Sequence, residues 1–229
     1  MKVSDFDYAL PEALIAQHPL EPRDASRLLV LNADGHIEHR HFRDLPEYLR
    51  PGDILVANDT RVIPARLFAR KPTGGRIEIL LLERTADDTW KALIGGRNVA
   101  IDLPLTLLDR DGNETSVAAT VITVGADAPR ELRFSAPVEE WIESLGYAPL
   151  PPYIHEPLDD PERYQTIYAQ PPGSAAAPTA GLHFTADLLL ALREQGVLFE
   201  TVTLHVGLDT FKPVTVQEVT DHVIHTEWA

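Results

Sequence analysis

Between Leu67 and Phe134 the apolar positions come in short runs cut by turn residues: Ile77 to Leu82, Trp90 to Ile94, Leu103 to Leu108, Val117 to Val124 and Glu131 to Phe134. Asp111-Gly112 separates the third run from the fourth. Short Val-, Ile- and Leu-rich segments at this spacing predict the strands of a small barrel or sandwich. Pro137 to Leu145 then predicts a helix. The flanking chain is patterned differently. Upstream, Pro11 to Ala16 predicts a short helix with Pro in its first turn. Leu28 to Leu31, the Asp34-Gly35 turn and a polar run through His36, Glu38 and Arg40 predict a hairpin. Ile54 to Ala57 predicts a buried strand that delivers Asn58-Asp59-Thr60-Arg61 at its end.

Downstream, the prolines of Pro149-Leu150-Pro151-Pro152-Tyr153-Ile154 fix extended geometry and predict a stiff linker. Thr166 to Ala169 predicts a strand. Thr185 fits a helix N-cap, Asp187 sits in the first turn, Leu188, Leu189 and Leu192 share a face, and Gly196 ends the helix. From Phe199, the residues Val202, Leu204 and Val206 alternate with Thr201, Thr203 and His205. That period of two buries the first set and leaves His205 on the polar face. Polar clusters on both sides of the strand-rich segment belong together, so the segment reads as a β module inserted into a domain formed by the chain around it.

Composition narrows the chemistry. Zero cysteines exclude disulfides, thiolate catalysis and Cys-ligated zinc or iron-sulfur clusters, so any metal would rest on His and carboxylates. No apolar run is long enough to span a bilayer, and Met1 to Leu10 carries two aspartates where a signal peptide needs a basic start, which predicts a cytoplasmic protein. A formal charge of -15 argues against a nucleic-acid partner at first sight. The window Arg61 to Arg97 nevertheless holds eight basic residues against four acidic ones, a net +4 patch able to meet a phosphate backbone or simply to form a mixed-charge solvated face.

The densest candidate chemistry lies in Pro178-Thr179-Ala180-Gly181-Leu182-His183-Phe184 and in Thr203-Leu204-His205-Val206-Gly207. Two imidazoles titrating near neutrality stand close to the ends of consecutive elements, with a hydroxyl at Thr179 and small residues that leave room for a ligand beside the backbone.

Taken in order, several stretches resemble the S-adenosylmethionine:tRNA ribosyltransferase-isomerase family of queuosine biosynthesis. They are Asp5-Phe6-Asp7-Tyr8 with Leu10-Pro11, Arg23 to Leu29, Asn58 to Leu67, Leu150 to Ile154, Tyr164-Gln165-Thr166, Ala177 to Phe184, Thr203 to Gly207 and His222-Val223-Ile224-His225. The ordered set runs the length of the chain and is far more specific than any one member. It implies an α/β main domain (mixed sheet or barrel with helices) over 1–66 and 150–229, with an inserted all-β small barrel over 67–149. It also implies a reaction. The ribosyl part of S-adenosylmethionine passes to 7-aminomethyl-7-deazaguanine at the tRNA wobble position and isomerises to epoxyqueuosine, releasing adenine and methionine. S-adenosylmethionine is then a ribosyl-donor substrate, no metal is expected, the partner is tRNA carrying the deazaguanine, and a monomer without membrane contact is expected.

Three departures stand out: Asp209 where the family has Gly, Ile224 where it has Met, read as a mild core swap, and an end at Trp228-Ala229 where the family continues. The last predicts a fragment.

Sulfonium activation acidifies the ribose C5′ protons, so a base must remove one while adenine leaves with help from an acid. His183 and His205 are the catalytic candidates, with Asp59, Thr60, Arg61, Thr179, Gly181 and Tyr164 as substrate-binding candidates and Arg70, Lys71 and Arg76 for tRNA phosphates. Isolated histidines are more often structural, and Asp59 with Arg61 can simply pair. Two alternatives differ in class: a metal-dependent hydrolase, because on a helix His222 and His225, three apart with Glu227 two further on, share one face and could bind a metal with His205 as a third ligand, and a non-catalytic RNA-binding module built on the positive barrel.

Overall fold

The computed structural model describes residues 1–123, 129–207, 210, 213–227 and 229. Its contacts divide the chain into two units, one made of Met1–Arg61, Pro151–Pro172 and Ala177–Ala229, the other of Val62–Leu150 and Gly173–Ala176.

In the first unit, β1 (Arg27–Leu31) and β2 (Ile37–His41) form an antiparallel hairpin around the Asp34-Gly35 turn. β3 (Ile54–Asn58) follows, and the chain leaves through the two-residue β4 (Arg61–Val62).

The second unit is a closed antiparallel barrel. Its strands are β5 (Arg66–Arg70), β6 (Arg76–Ala86), β7 (Thr89–Ile94), β8 (Pro104–Leu108), β9 (Glu114–Thr123) and β10 (Arg130–Phe134), ordered β10-β7-β6-β5-β8-β9 and closed by β9 on β10. Alternation drives it. On β6, Ile77, Ile79 and Leu81 point inward and meet Leu67, Ala69, Ala92, Leu105, Leu107, Val121 and Leu132, all essentially inaccessible. Closure leaves no unpaired edge. The predicted helix over 137–145 is instead a 3-10 turn at Val138–Glu140 and one α turn, α1 (Ile142–Leu145), whose Trp141, Ile142 and Leu145 join the same core. The unit begins at Val62, not at position 67, because Val62 and Ala65 are buried and Leu81 donates its amide to the Ala65 carbonyl at 3.0 Å. Val124, placed in the fourth predicted run, lies outside the described residues.

The rest of the chain passes through β11 (Pro172–Ser174) and then α2 (Ala186–Glu194) and β12 (Leu198–Val202). Thr185 caps α2 as expected, accepting the Leu188 amide at 3.2 Å. β12 lies parallel to β3, in register from Leu198↔Ile54 to Val202↔Asn58. Phe184, Leu188, Leu192 and Val197 form the small core of this unit, flanked by Phe42, Leu45, Leu49, Leu55, Tyr168 and Leu189.

Five expectations are overturned here. Residues 166–169 form turns, since Ala169 donates back to the Thr166 carbonyl at 3.2 Å and Gln170 to that of Asp59 at 2.8 Å. The helix predicted over 11–16 is a single 3-10 turn at Glu12–Leu14. β3 is not buried on both faces: Ile54 and Val56 are 58% and 64% exposed. On β12 the alternation fails: Leu198, Glu200, Thr201 and Val202 are exposed while Phe199 packs against Tyr168 and Phe184, and beyond the strand Leu204 is exposed and His205 partly buried. Ile224 is likewise no core residue, being 77% exposed.

Candidate functional site

The end of β3 and the segment after β12 meet through side chains. Asn58 donates Nδ2–H to the Leu204 carbonyl at 2.7 Å and accepts the Leu204 amide at 3.0 Å, Asp59 accepts the Thr203 hydroxyl at 2.8 Å, and Thr60 Oγ1 lies 2.7 Å from His205 Nδ1. Asp59 and Arg61 do not pair with each other. Arg61 forms its ion pair with Glu162, at the start of the turn that carries Tyr164.

The second cluster is organised by a residue not among the predicted site residues. Arg23 donates from one guanidinium to the carbonyls of Gln165 at 2.7 Å, Glu162 at 2.8 Å and Leu182 at 3.3 Å. It therefore ties the Tyr164 turn to the 3-10 turn Thr179–His183. Its signal was its place in the Arg23-Asp24-Ala25-Ser26-Arg27 stretch, but only folding shows three carbonyls converging on it. Next to it, Asp24 accepts the Thr185 hydroxyl at 3.3 Å and pairs with Arg43 at 3.5 Å.

His183 packs its ring on Phe42, centroids 5.2 Å apart, and among the described residues its nitrogens make no hydrogen bond to the chain. Burial, with a smaller contribution from the nearby Arg23 cation, holds this imidazole below its usual range. Burial lowers His205 as well, opposed by the Asp59 carboxylate. Burial pushes the Tyr164 phenol up to about 12, against a smaller opposing effect of the Ala177 backbone, which approaches the hydroxyl without reaching hydrogen-bond geometry. Both histidine shifts favour the neutral form of the ring. Residues 162–171 link the surroundings of the two histidines, bonded to Asp59 and Arg61 on one side and to Arg23 on the other, with Thr166 and Tyr168 close against Gly181.

The sign of the pH effect follows. Folding opposes protonation of both rings, so their contribution is complete above the unfolded imidazole value of about 6.5 and is lost as pH falls through the lower folded values. Calorimetric Tm is expected to fall between about pH 7 and pH 5, and the double variant His183→Gln, His205→Gln to flatten that slope. An unaltered slope in the variant would contradict the assignment.

Thr179 is exposed, with an unengaged hydroxyl among the described residues. Gly181 does not open space for a ligand. A Cβ there would lie 2.3 Å from the Tyr168 hydroxyl and 2.9 Å from Thr166 Cγ2, so the missing side chain admits Tyr168. On the barrel, Arg70 and Lys71 line a cleft of about 420 Å³ with Pro72, Gly74, Pro104, Thr106 and Glu114. Arg70 pairs with Glu114 at 3.1 Å, Lys71 donates to the Arg97 carbonyl, and Arg76 stacks over Phe68 at 4.0 Å. Arg66, Arg84 and Lys91 are also ion-paired, so much of the positive window is internally compensated.

The metal alternative loses its geometry. Residues 222–227 are not helical, His225 Nε2 bonds Glu227 at 2.8 Å, and among the described residues no group of three or more His, Asp or Glu is arranged to hold an ion.

Comparison with known proteins bears on the same residues. The profile of a family described as "Queuosine biosynthesis protein" matches residues 3–229. The chain belongs to this family. Proteins named S-adenosylmethionine:tRNA ribosyltransferase-isomerase from Moorella thermoacetica and Symbiobacterium thermophilum are each 52% identical over all of this chain, which spans 67% of each. The Dehalococcoides mccartyi protein of the same name is 51% identical, and the chain spans 66% of it. A crystal structure of S-adenosylmethionine tRNA ribosyltransferase from Thermotoga maritima is similar at 40% identity, covering 89% of this chain and 59% of that one, with a TM-score of 0.36. The chain thus spans about two thirds of the length of its curated family members. Among the described residues no helix is long and apolar enough to cross a membrane.

Proposed function

We propose that this chain carries the histidine-bearing part of an S-adenosylmethionine:tRNA ribosyltransferase-isomerase, acting in the cytoplasm on tRNA that bears 7-aminomethyl-7-deazaguanine. One observation carries the reading: His183 is a partly buried, neutral imidazole that no described group of the chain engages, held on Phe42 at the end of the turn that Arg23 anchors. A neutral imidazole without a partner is suited to take a proton. In the proposed sequence His183 removes a C5′ proton of the sulfonium-activated ribose, and His205, as a neutral ring, donates a hydrogen bond that stabilises adenine as it departs. Thr179, with its exposed hydroxyl, contributes to the substrate surface, and Tyr164, buried in its turn, supports it from beneath. Asp59, Thr60 and Arg61 act mainly through the segments they hold.

For the tRNA, Arg70, Lys71 and Arg76 offer a phosphate contact on the barrel, weakened by the pairing of Arg70 with Glu114. A purely RNA-binding module leaves the unengaged histidine without a role.

The test is to incubate S-adenosylmethionine with deazaguanine-bearing tRNA and measure free adenine, with the chain as it stands and with a form extended to the length of its family members. Adenine release by the extended form, lost by at least about 100-fold in His183→Ala with tRNA affinity retained, is the expected result. Loss of both release and binding would make His183 structural, and full release by His183→Ala would end the proposal.

A further inference from the structure

Backbone pairing between β3 and β12 stops at Val202↔Asn58, yet the two segments stay together for three more residues through side chains. Asn58 imitates a strand toward Leu204, donating to its carbonyl and accepting its amide, while its Oδ1 also accepts the Thr60 amide at 3.1 Å. Asp59 adds the Thr203 hydroxyl and, from its own amide, a bond to the Val202 carbonyl at 3.0 Å. Thr60 completes the series. It is fully buried at 0% exposure, and its hydroxyl has one described partner, His205 Nδ1 at 2.7 Å.

A hydroxyl has one proton and two lone pairs. In a buried site, an unpaired donor is rarer and more costly than an unpaired acceptor. Were Nδ1 to carry the hydrogen and donate to Thr60, the single hydroxyl proton would be buried with nothing described to receive it. The opposite arrangement, with the hydroxyl donating to Nδ1, leaves only lone pairs unfilled. We infer that Thr60 is a positioning residue which donates to Nδ1 and locks the neutral His205 ring as the tautomer protonated at Nε2.

This deepens the functional reading above, on which it rests for its chemical meaning: a neutral ring with its hydrogen on Nε2 is a hydrogen-bond donor at that atom, so His205 can stabilise the leaving group without transferring its proton, while His183 takes the base side. Thr60, read from the sequence as touching substrate, acts through the imidazole. Among the described residues the charged group that acts on His205 is Asp59, already bonded to Thr203, and the Glu227 carboxylate is taken up by the Gly207 amide and His225. Neither is bonded to Nδ1.

The tautomer can be read without any turnover, from the ¹⁵N shifts of the His205 ring at about pH 8, above the usual imidazole range. In the unmodified chain Nδ1 is expected at the unprotonated position and Nε2 at the protonated one. Thr60→Val should move both shifts toward the exchange-averaged values of a free imidazole, and Thr60→Ser should restore the original pattern. A protonated Nδ1 in the unmodified chain, or unchanged shifts in Thr60→Val, would overturn the inference. If Thr60→Val does not fold, the unmodified chain and Thr60→Ser still decide which nitrogen carries the hydrogen. Because the readout needs neither S-adenosylmethionine nor tRNA, absence of adenine release cannot be confused with a wrong tautomer.

Discussion

Replacing Gly181 by Ala is expected to lower the stability of its unit by about 1–3 kcal/mol and to cut any histidine-dependent activity by more than about tenfold. The added Cβ meets the Tyr168 hydroxyl at 2.3 Å, Thr166 Cγ2 at 2.9 Å and the Tyr168 ring at 3.3 Å. None of these groups has easy room to retreat. Thr166 is buried, and the Tyr168 ring is packed edge-on to Phe199 at 5.2 Å and Phe184 at 6.3 Å. The turn must then move as a body, and His183 ends that turn. Tyr168→Phe in the Gly181→Ala background removes the nearest atom but leaves Thr166 in place, so a partial recovery of calorimetric Tm is expected. Full stability in the single variant would show that the turn yields freely.

A larger effect is expected in the barrel unit. Gly146→Ala places a Cβ 1.9 Å from the Pro64 carbonyl oxygen and 2.8 Å from that of Ile142. Both obstacles are backbone, and the neighbouring strand end is fixed by reciprocal bonds between Arg66 and Tyr147 at 3.1 and 2.9 Å. Relief requires separating α1 from the residues leading into β5, which unseats Ile142 and Leu145 from a core with little free volume. A loss of about 3 kcal/mol or more is expected, at the upper end of single-substitution effects. Urea unfolding followed by tryptophan fluorescence measures it, since Trp90 and Trp141 both lie in this core. A midpoint unchanged from the parent would refute the close approach.

The sequence alone determined the barrel. Its strands announce themselves because each alternates across a closed sheet with one dry face, and Ile77, Ile79 and Leu81 carry that signal locally. It also determined the capped helix, since Thr185 bonds within its own turn, and the family, through motifs in order along the chain. Tertiary structure decided what depends on partners distant in sequence. On β12 Leu198 and Val202 lie outside, as does Leu204 beyond it, because aromatic packing of Phe199 with Tyr168 and Phe184 outweighed the simple alternation. Gly181 looked like room for a ligand until Tyr168 filled it. Arg23 collecting three carbonyls, and Thr60 meeting His205 across 145 positions of sequence, are products of chain closure. Periodicity reports the face a residue shows to its neighbours in sequence; it carries no information about which distant group will stand opposite.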